Sequence, residues 1–358
     1  MKKAYTFSLK IIALVIVLLL LLFGGFMVYI SVNDYSPQEI EILEIKGNNR
    51  DSIIKQREFT LMTWNIGYCG LGKEMDFFYE GGKQVRPDFS EYVNYKKGIL
   101  DFISDNDTVD FWLFQEVDKN SKRSYYTDQE KLIVEKLCNY DYVFGKNYDV
   151  KFVPVPITSP MGKVVSGIMN FSAFRPEQSV KYAYPVISSW HDKLFMLDRC
   201  FILMSFKLSE DKNLIIINTH NSYYIRDDSL RLLELDVLKN RILSEYESGN
   251  YVVVGGDWNK LPPDFNKENN LIKEPIQNTV RSISKNFLPQ DWCWAYGNKH
   301  PTNRALNRKY EKGNTGVSII DFFVVSPNIE VIEVKTIPLG FENSDHHPVY
   351  LKIRLIRN

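Results

Sequence analysis

The sequence predicts an α/β domain carried behind a single membrane-spanning helix. Three observations predict it. A run of twenty residues near the N-terminus holds no charge. From Phe59 onward, strand-like apolar runs alternate with segments of helical spacing. Acidic, amide and histidine residues recur at the C-terminal ends of the apolar runs, where sites form in α/β sheets.

The charge-free run is Ile11 to Ile30, IIALVIVLLLLLFGGFMVYI. At about 1.5 Å per residue, a helix of that length crosses roughly 30 Å, the hydrocarbon thickness of a bilayer. Lys2, Lys3 and Lys10 precede it, and Asp34 and Glu39 follow. The positive-inside bias then puts residues 1–10 in the cytoplasm and a transmembrane helix at 11–32. The rest would lie outside the cell membrane. A cleaved signal peptide would have a shorter apolar region, about 7–15 residues, ending in small residues. FMVYISVND offers no such site and no cysteine for a lipid anchor, which favours an uncleaved anchor. Residues 33–57 read as a polar stem. Residues 58–358, about 300 in number, can bury a sizeable core as one catalytic domain.

The first strand-like stretch is FTLMTWNI. EYVNYKKGILDFISD follows with helical spacing at Val93, Leu100 and Ile103, then the buried strand DFWLFQEV. DQEKLIVEKLCN is helical, with Leu132, Ile133 and Leu137 on one face. SGIMNFSAF, CFILMSFKL and NLIIINTHNS are strand-like. DDSLRLLELDVLKNRILSEYESGN is the strongest helix; Asp228 can cap its start and Gly249-Asn250 can end it. The strand YVVVGG, then GVSIIDFFVVS and HPVYLKIRLI, complete the pattern. No internal repeat or low-complexity tract interrupts it.

Composition narrows the class. With 44% hydrophobic and 25% charged residues the chain is ordinary globular protein. Cys69, Cys138, Cys200 and Cys293 have no paired spacing, so neither a structural zinc site nor a disulfide framework is indicated. Basic and acidic residues balance at 44 each, and without the three N-terminal lysines the remainder is slightly acidic. Such a chain lacks the basic footprint of a duplex-binding protein. An enzyme touching a few phosphates is still compatible with it.

Asn65 ends LMTWN, Glu116 ends FWLFQE and His220 ends IIINTH. Asp257 and Asn259 follow YVVVGG, Asp321 lies in IIDFFVV, and Asp345 and His346 precede the last strand. Any one of these is ordinarily structural: a histidine at a strand end is usually a satisfied core group, and Gly, Asp and Asn favour turns. Six such placements fit one crevice where strand ends converge. Hard oxygen donors suit magnesium or manganese rather than zinc. An Asp beside an Asn can hold and deprotonate a water, and two histidines can donate to developing phosphate charge.

In this order, TWNIG, FQEVD, NTHNS, GGDWN, IIDFFVVS and SDHHPVYL resemble the endonuclease/exonuclease/phosphatase superfamily. It includes deoxyribonuclease I, apurinic endonucleases, bacterial sphingomyelinases and inositol polyphosphate 5-phosphatases. The resemblance runs from Phe59 to Ile356, and VSGIMNFSAF resembles its central strand. It implies a four-layer α/β sandwich, two mixed sheets face to face with helices outside. It also implies a metal site at Glu116 with Asn65 and Asp345, holding Mg2+ or Mn2+. Asp257 would be the base or water-positioner with Asn259 beside it. His220 and His346 would contact the scissile phosphate, and Asp321 would pair with His346. Several apurinic endonucleases carry Asp two residues after the Asn; Gly67 stands there instead, which weakens a repair-endonuclease reading.

Arg199 in FMLDRCF either pairs with a carboxylate such as Asp198 or faces the site and binds phosphate. Arg123 in NSKRSYY either is solvated on its loop or reaches substrate. Trp258 reads as core and His347 as solvent-exposed. The expected function is metal-dependent hydrolysis of phosphodiesters or phosphomonoesters outside the cytoplasm. Exogenous DNA or RNA, a phospholipid headgroup as in a sphingomyelinase, and small phosphorylated metabolites are open as substrates. The membrane is the other expected partner; no obligate protein partner is indicated. A binding module on the same fold would have no need of base, metal ligand and both histidines together.

Overall fold

The computed structural model describes residues 2–47, 53–185, 190–208, 212–223, 228–265 and 281–356. In chain order its elements are α1 (Lys2–Val32), β1 (Ile40–Ile42), β2 (Glu58–Asn65), α2 (Phe89–Asp105), β3 (Phe111–Asp118) and α3 (Gln129–Lys136). Then come β4 (Asp141–Val153), β5 (Gly162–Ser172), β6 (Gln178–Ala183), α4 (Trp190–Lys193), β7 (Cys200–Lys207) and β8 (Asn213–His220). α5 (Asp228–Glu247), β9 (Tyr251–Asp257), β10 (Cys293–Ala295), β11 (Asn303–Arg304) and β12 (Val317–Ser318) follow, before β13 (Asp321–Val325), β14 (Ile329–Thr336) and β15 (Val349–Leu355).

Two mixed sheets carry the fold, ordered β1-β6-β7-β8-β9-β13-β10 and β14-β15-β2-β3-β5-β4. Each has one parallel pair at its centre, β8 with β9 and β2 with β3. A parallel pair needs a long crossover, and α5 and α2 supply the two. Strict alternation in the strands sorts the apolar residues into layers. Phe59, Leu61, Phe111, Leu113, Leu214, Ile216 and Val253 fill the space between the sheets. Met62, Trp64, Trp112 and Phe114 face outward toward Tyr92, Ile99 and Ile103 of α2. Ile215, Ile217, Val252 and Val254 face outward toward Leu235, Leu238 and Ile242 of α5. The result is the expected four-layer α/β sandwich.

Two expectations need correction. The covered stripe of α2 is Tyr92, Tyr95, Ile99 and Ile103, while Val93 faces solvent, because tyrosines supply half of the covered face. The 33–57 segment, read as a stem, lies against the domain at places within its described residues 33–47 and 53–57. Its β1 pairs with β6, and Leu43 and Ile54 enter the inter-sheet core. His347 is buried rather than exposed, as its neighbours below explain. The Asp228 side chain, expected as a cap, lies outside the described residues, but α5 ends as expected: Gly249 adopts φ 87° and donates its N–H to the Tyr246 carbonyl.

The GG of YVVVGG is set by crowding. Gly256 has φ 146°, and a Cβ there would lie 2.0 Å from the Thr219 carbonyl oxygen of the neighbouring parallel strand. Gly256→Ala must therefore push β9 away from β8. We expect it to cost on the order of 1–3 kcal/mol, the usual range for overpacking, read as a lower denaturation midpoint of the full chain.

Candidate active site

The inward-facing positions change character along each strand. Phe59 and Leu61 of β2 give way to Thr63 and Asn65; Leu214 and Ile216 of β8 to Asn218 and His220; Val253 of β9 to Asp257. The apolar core thus passes into a layer of amides and then into ionisable groups at the strand ends. Registers align those ends: Asn65 lies opposite Gln115, His220 opposite Asp257, and Asp257 opposite Asp321 of the antiparallel β13. Asp345 and His346 come to the same end because β15 begins beside Thr63.

Glu116 needs a special device. By alternation it would face outward with Trp112 and Phe114. The ladder shifts between Phe114 and Val117, and Glu116 adopts φ 56°. This bulge leaves Val117 in the outer core and keeps Glu116 beside Asn65, whose Nδ2 lies 3.4 Å from Glu116 Oε1. Left-handed backbone at a non-glycine residue costs about 1–3 kcal/mol and is concentrated at functional sites.

Asp257 is the hub. Its Oδ2 accepts from Asn65 Nδ2 at 3.0 Å and from Asn259 Nδ2 at 3.2 Å, and Oδ1 accepts from the Asn259 N–H at 2.9 Å. His220 Nε2 is 3.4 Å from the same Oδ2, and His346 Nε2 is 3.9 Å from it. Burial, with Asp321 adding like charge, pushes the Asp257 carboxyl up to about 6. His346 donates from Nδ1 to Asp321 Oδ2 at 2.8 Å. Burial disfavours its charged form, but Asp321, Asp345 and Asp257 outweigh that and hold it well above the ordinary range. His220 moves the opposite way: burial, Arg199 and His346 keep it well below. One histidine is thus held charged and the other neutral.

Arg199 faces the site. Its Nη1 contacts His220 Nε2, and among the described residues no carboxylate pairs with it. Asp198 takes no part; burial lifts its carboxyl to about 7. Arg123 is neither solvated nor free. It makes a two-pronged pair with Asp118, Nε to Oδ2 at 3.1 Å and Nη2 to Oδ1 at 2.9 Å, and its guanidinium lies 3.8 Å over the Tyr68 ring. Those contacts occupy it, so the expected reach to substrate is replaced by bracing of the loop behind Glu116. His347 is fixed as a neutral ring, donating from Nδ1 to the Pro301 carbonyl and accepting at Nε2 from the Phe341 N–H. Burial takes it down to about 4. Trp258 is core as expected, stacked on Phe322.

Two groups of side chains compete for a cation. Asp257, Asp321 and His346 have ligand atoms within 4.8 Å of one another. Both Asp257 oxygens, Asp321 Oδ2 and His346 Nδ1 are engaged in the hydrogen bonds above, whereas Asp321 Oδ1 is buried without a partner. Glu116 and Asp345 are less satisfied: Asp345 Oδ1 has the Ser344 hydroxyl only at 3.5 Å. Burial, with the nearby Glu116 charge, lifts the Asp345 carboxyl to about 7. Two under-satisfied carboxylates beside the Asn65 amide fit a hard divalent ion. Position 67 has no room for another carboxylate: Gly67 has φ 50°, and a Cβ there would sit 2.8 Å from Asp345 Oδ1.

The sequence reading missed the supports. Asn303 lies 3.0 Å from His346 Nε2, yet nothing in PTNR marks it. Gln115 donates to Asn218 Oδ1 at 2.7 Å, and Asn218 donates to Asn170 Oδ1 at 2.7 Å, joining the two sheets just beneath the site. Three amides at inward positions of core strands were the available signal.

The model of the Endonuclease/Exonuclease/phosphatase family matches residues 62–346. Among curated proteins none matches. Solved structures do. An endonuclease/exonuclease/phosphatase from Beutenbergia cavernae aligns with TM-score 0.58 at 16% identity, covering 84% of this chain and 72% of that one. ANGEL2, a 2',3'-cyclic phosphatase, aligns with TM-score 0.53 at 15% identity, covering 89% of this chain and 99% of its own. TDP2 from Caenorhabditis elegans aligns with TM-score 0.51 at 14% identity, covering 83% and 74%. At these identities the likeness is one of fold.

Asn218 is the link whose loss is most visible. Asn218→Leu takes from Asn170 Oδ1 its buried donor, at about 1–3 kcal/mol for the stranded group, and takes from Gln115 Nε2 its shortest contact, leaving it Thr63 and the Leu113 carbonyl. We expect a marked fall in the denaturation midpoint; an unchanged midpoint shows that the bridge contributes nothing.

Proposed function

We propose that this chain, which belongs to the endonuclease/exonuclease/phosphatase family, is a divalent-metal-dependent hydrolase of phosphate esters working outside the cytoplasm. The family consists of hydrolytic phosphoesterases whose members generally use divalent metals. The observation that carries the proposal is the hub at Asp257, a buried carboxylate held by two amides between a neutral and a charged imidazole.

In this reading Asp257 and Asn259 hold a water in line with phosphorus, and Asp257 takes its proton. A carboxyl raised to about 6 is a better base than an ordinary aspartate and is still ionised near neutrality. His346, kept charged by Asp321, and Arg199 stabilise charge on the phosphate oxygens. Glu116, Asn65 and Asp345 would hold the metal, which supplies further neutralisation of phosphate charge when bound. What supports placement outside is α1, whose Phe7–Val32 portion is long and apolar enough to cross a membrane, together with Lys2, Lys3 and Lys10 at its N-terminal end. Residues 58–356 hold the catalytic machinery.

The test is turnover of bis-p-nitrophenyl phosphate and p-nitrophenyl phosphate by the full chain in detergent with magnesium. Asp257→Asn should fall at least about a hundredfold, the lower end for general-base catalysis, with little change in melting temperature. His346→Ala should also fall, by about 10²–10³-fold, and the double variant by less than the product of the two losses. Near wild-type turnover by Asp257→Asn, on a substrate the parent cleaves, reduces GGDWN to a turn and overturns the mechanism. For the metal, Glu116→Gln should weaken magnesium binding far more than it weakens folding. Unchanged calorimetric affinity in a folded variant removes Glu116 from the metal site.

A further inference from the structure

Helix α1 does not end in a free linker. Phe26, Met27, Ile30 and Ser31 are covered in part or fully, and they lie on one helical face. Ile30 is only 2% exposed. The Phe26 ring sits 6.2 Å from that of Phe152 at the end of β4 and 6.4 Å from that of Phe195. Beyond the helix, the Tyr35 hydroxyl donates to the Lys146 carbonyl of β4. The helix is thus fastened to the domain along its last two turns.

This fastening fixes a depth. The apolar span runs from Phe7 to Val32, 26 residues. At about 1.5 Å per residue it is roughly 39 Å long, against roughly 30 Å of hydrocarbon. Phe26 lies six residues, about 9 Å, before the end of the span. With the hydrocarbon ending at Phe26 the side chains packed on Phe26 lie at its boundary, and with it ending at Ile30 they lie about 6 Å inside it. Those side chains belong to the catalytic domain.

Around that point the domain exposes apolar residues. Ile157 on the β4–β5 turn is 89% exposed, and Phe152 and Val155 beside it are also exposed. Trp190 and Met196 are exposed in the segment that carries Phe195. Phe195 and Leu197 pack with Val150, Val153 and Met161, so turn and segment form one unit. Tryptophan with aliphatic side chains at this level is the composition of a membrane interface.

We propose that the catalytic domain is seated on the bilayer crossed by α1, with Phe152, Val155, Ile157, Trp190 and Met196 inserted at the boundary between headgroups and hydrocarbon. The proposal rests on reading α1 as membrane-spanning. The occupant of this apolar face is lipid, because the face is continuous with a helix already in lipid. The seat lies close to the site. The Phe195 carbonyl accepts from the Tyr148 hydroxyl at 2.8 Å, and the Arg123 guanidinium lies 5.9 Å from the Tyr148 ring and 3.8 Å from Tyr68.

The experiment places a spin label on the full chain in lipid vesicles and compares its accessibility to oxygen and to a water-soluble nickel chelate. Cys138 and Cys293, the exposed cysteines, are first changed to serine. Labels then go on Ile157→Cys, on Leu20→Cys inside α1, and on Ile332→Cys of β14. β14 is the opposite edge of the sheet from β4, five strand spacings or about 24 Å away. The expected result is oxygen-favoured exposure at 157 and 20, with an oxygen-to-nickel ratio at 157 several-fold above that at 332. Lipid exposure at 20 with a water-like ratio at 157 overturns the seat and leaves the anchor standing. A water-like ratio at 20 overturns the anchor and the seat together. A label at 157 shielded from both reagents means a protein contact, which also overturns the proposal.

Discussion

The arrangement depends on a buried amide bridge between the two sheets. Gln115 in one sheet donates to Asn218 in the other, and also to Thr63 on its own sheet at 3.1 Å. Asn218 returns to the first sheet through Asn170 and through the Phe114 carbonyl at 3.1 Å. Apolar packing alone lets two sheets slide, since dispersion contacts have little direction. Hydrogen bonds among fully buried amides do not, because a displaced donor is left unsatisfied in a medium without water. Asn218 sits one alternation before His220 and Asp257, and Gln115 is level with Asn65, so the bridge fixes the relative height of the strand ends that carry the site.

Above that bridge, charge is arranged by burial. Asp257, Asp321 and Asp345 are each 5% exposed or less. Near so many carboxylates, a cationic His346 is favoured despite the cost of desolvation. His220, close to Arg199, loses the same contest. The same element type thus yields a donor of charge and a neutral ring, decided by neighbours rather than by residue identity. Arg304 shows how the surrounding loop is paid for: its guanidinium donates to the carbonyls of Leu71, Gly72 and Met75, closing a turn that has no regular ladder.

The central strands and the residues at their ends were legible because buried parallel strands are near-continuous apolar runs with abrupt polar termini. The strands that escaped notice are at or next to the edges. β4 and β14 bound one sheet, and β1 with β6 bounds the other. Edge strands cover one face and carry charges on the other, so DYVFGKNYDVKFV and IEVIEVKT lack the apolar signature. Within the site, types and positions of ionisable groups could be read, but their partners could not. Arg123 and His347 were misjudged for one reason: each sits in polar surroundings in the sequence and in buried surroundings in space. Asn303 comes from a connection between strands, where spacing carries no register.

The bulge at Glu116 ties these threads together. An ordinary ladder would aim residue 116 at α2, into an apolar layer where a carboxylate is costly. The bulge avoids that cost but places Glu116 in left-handed backbone, next to Tyr68 and Cys69 with φ 42° and 53°. Something must hold this strained corner. Asp118, immediately after the bulge, is gripped by both prongs of Arg123 and by the Ser124 hydroxyl at 2.9 Å. Arg123 in turn lies against Tyr68. Its side chain is 7% exposed, and a buried ion pair of this kind earns its place through geometry more than through net stability. It converts a local backbone cost into a fixed carboxylate. The same brace meets Tyr148, whose hydroxyl reaches the segment beside α1. Packed side chains therefore run from the apolar helix through Phe195, Tyr148 and Arg123 to Asp118, two residues beyond Glu116.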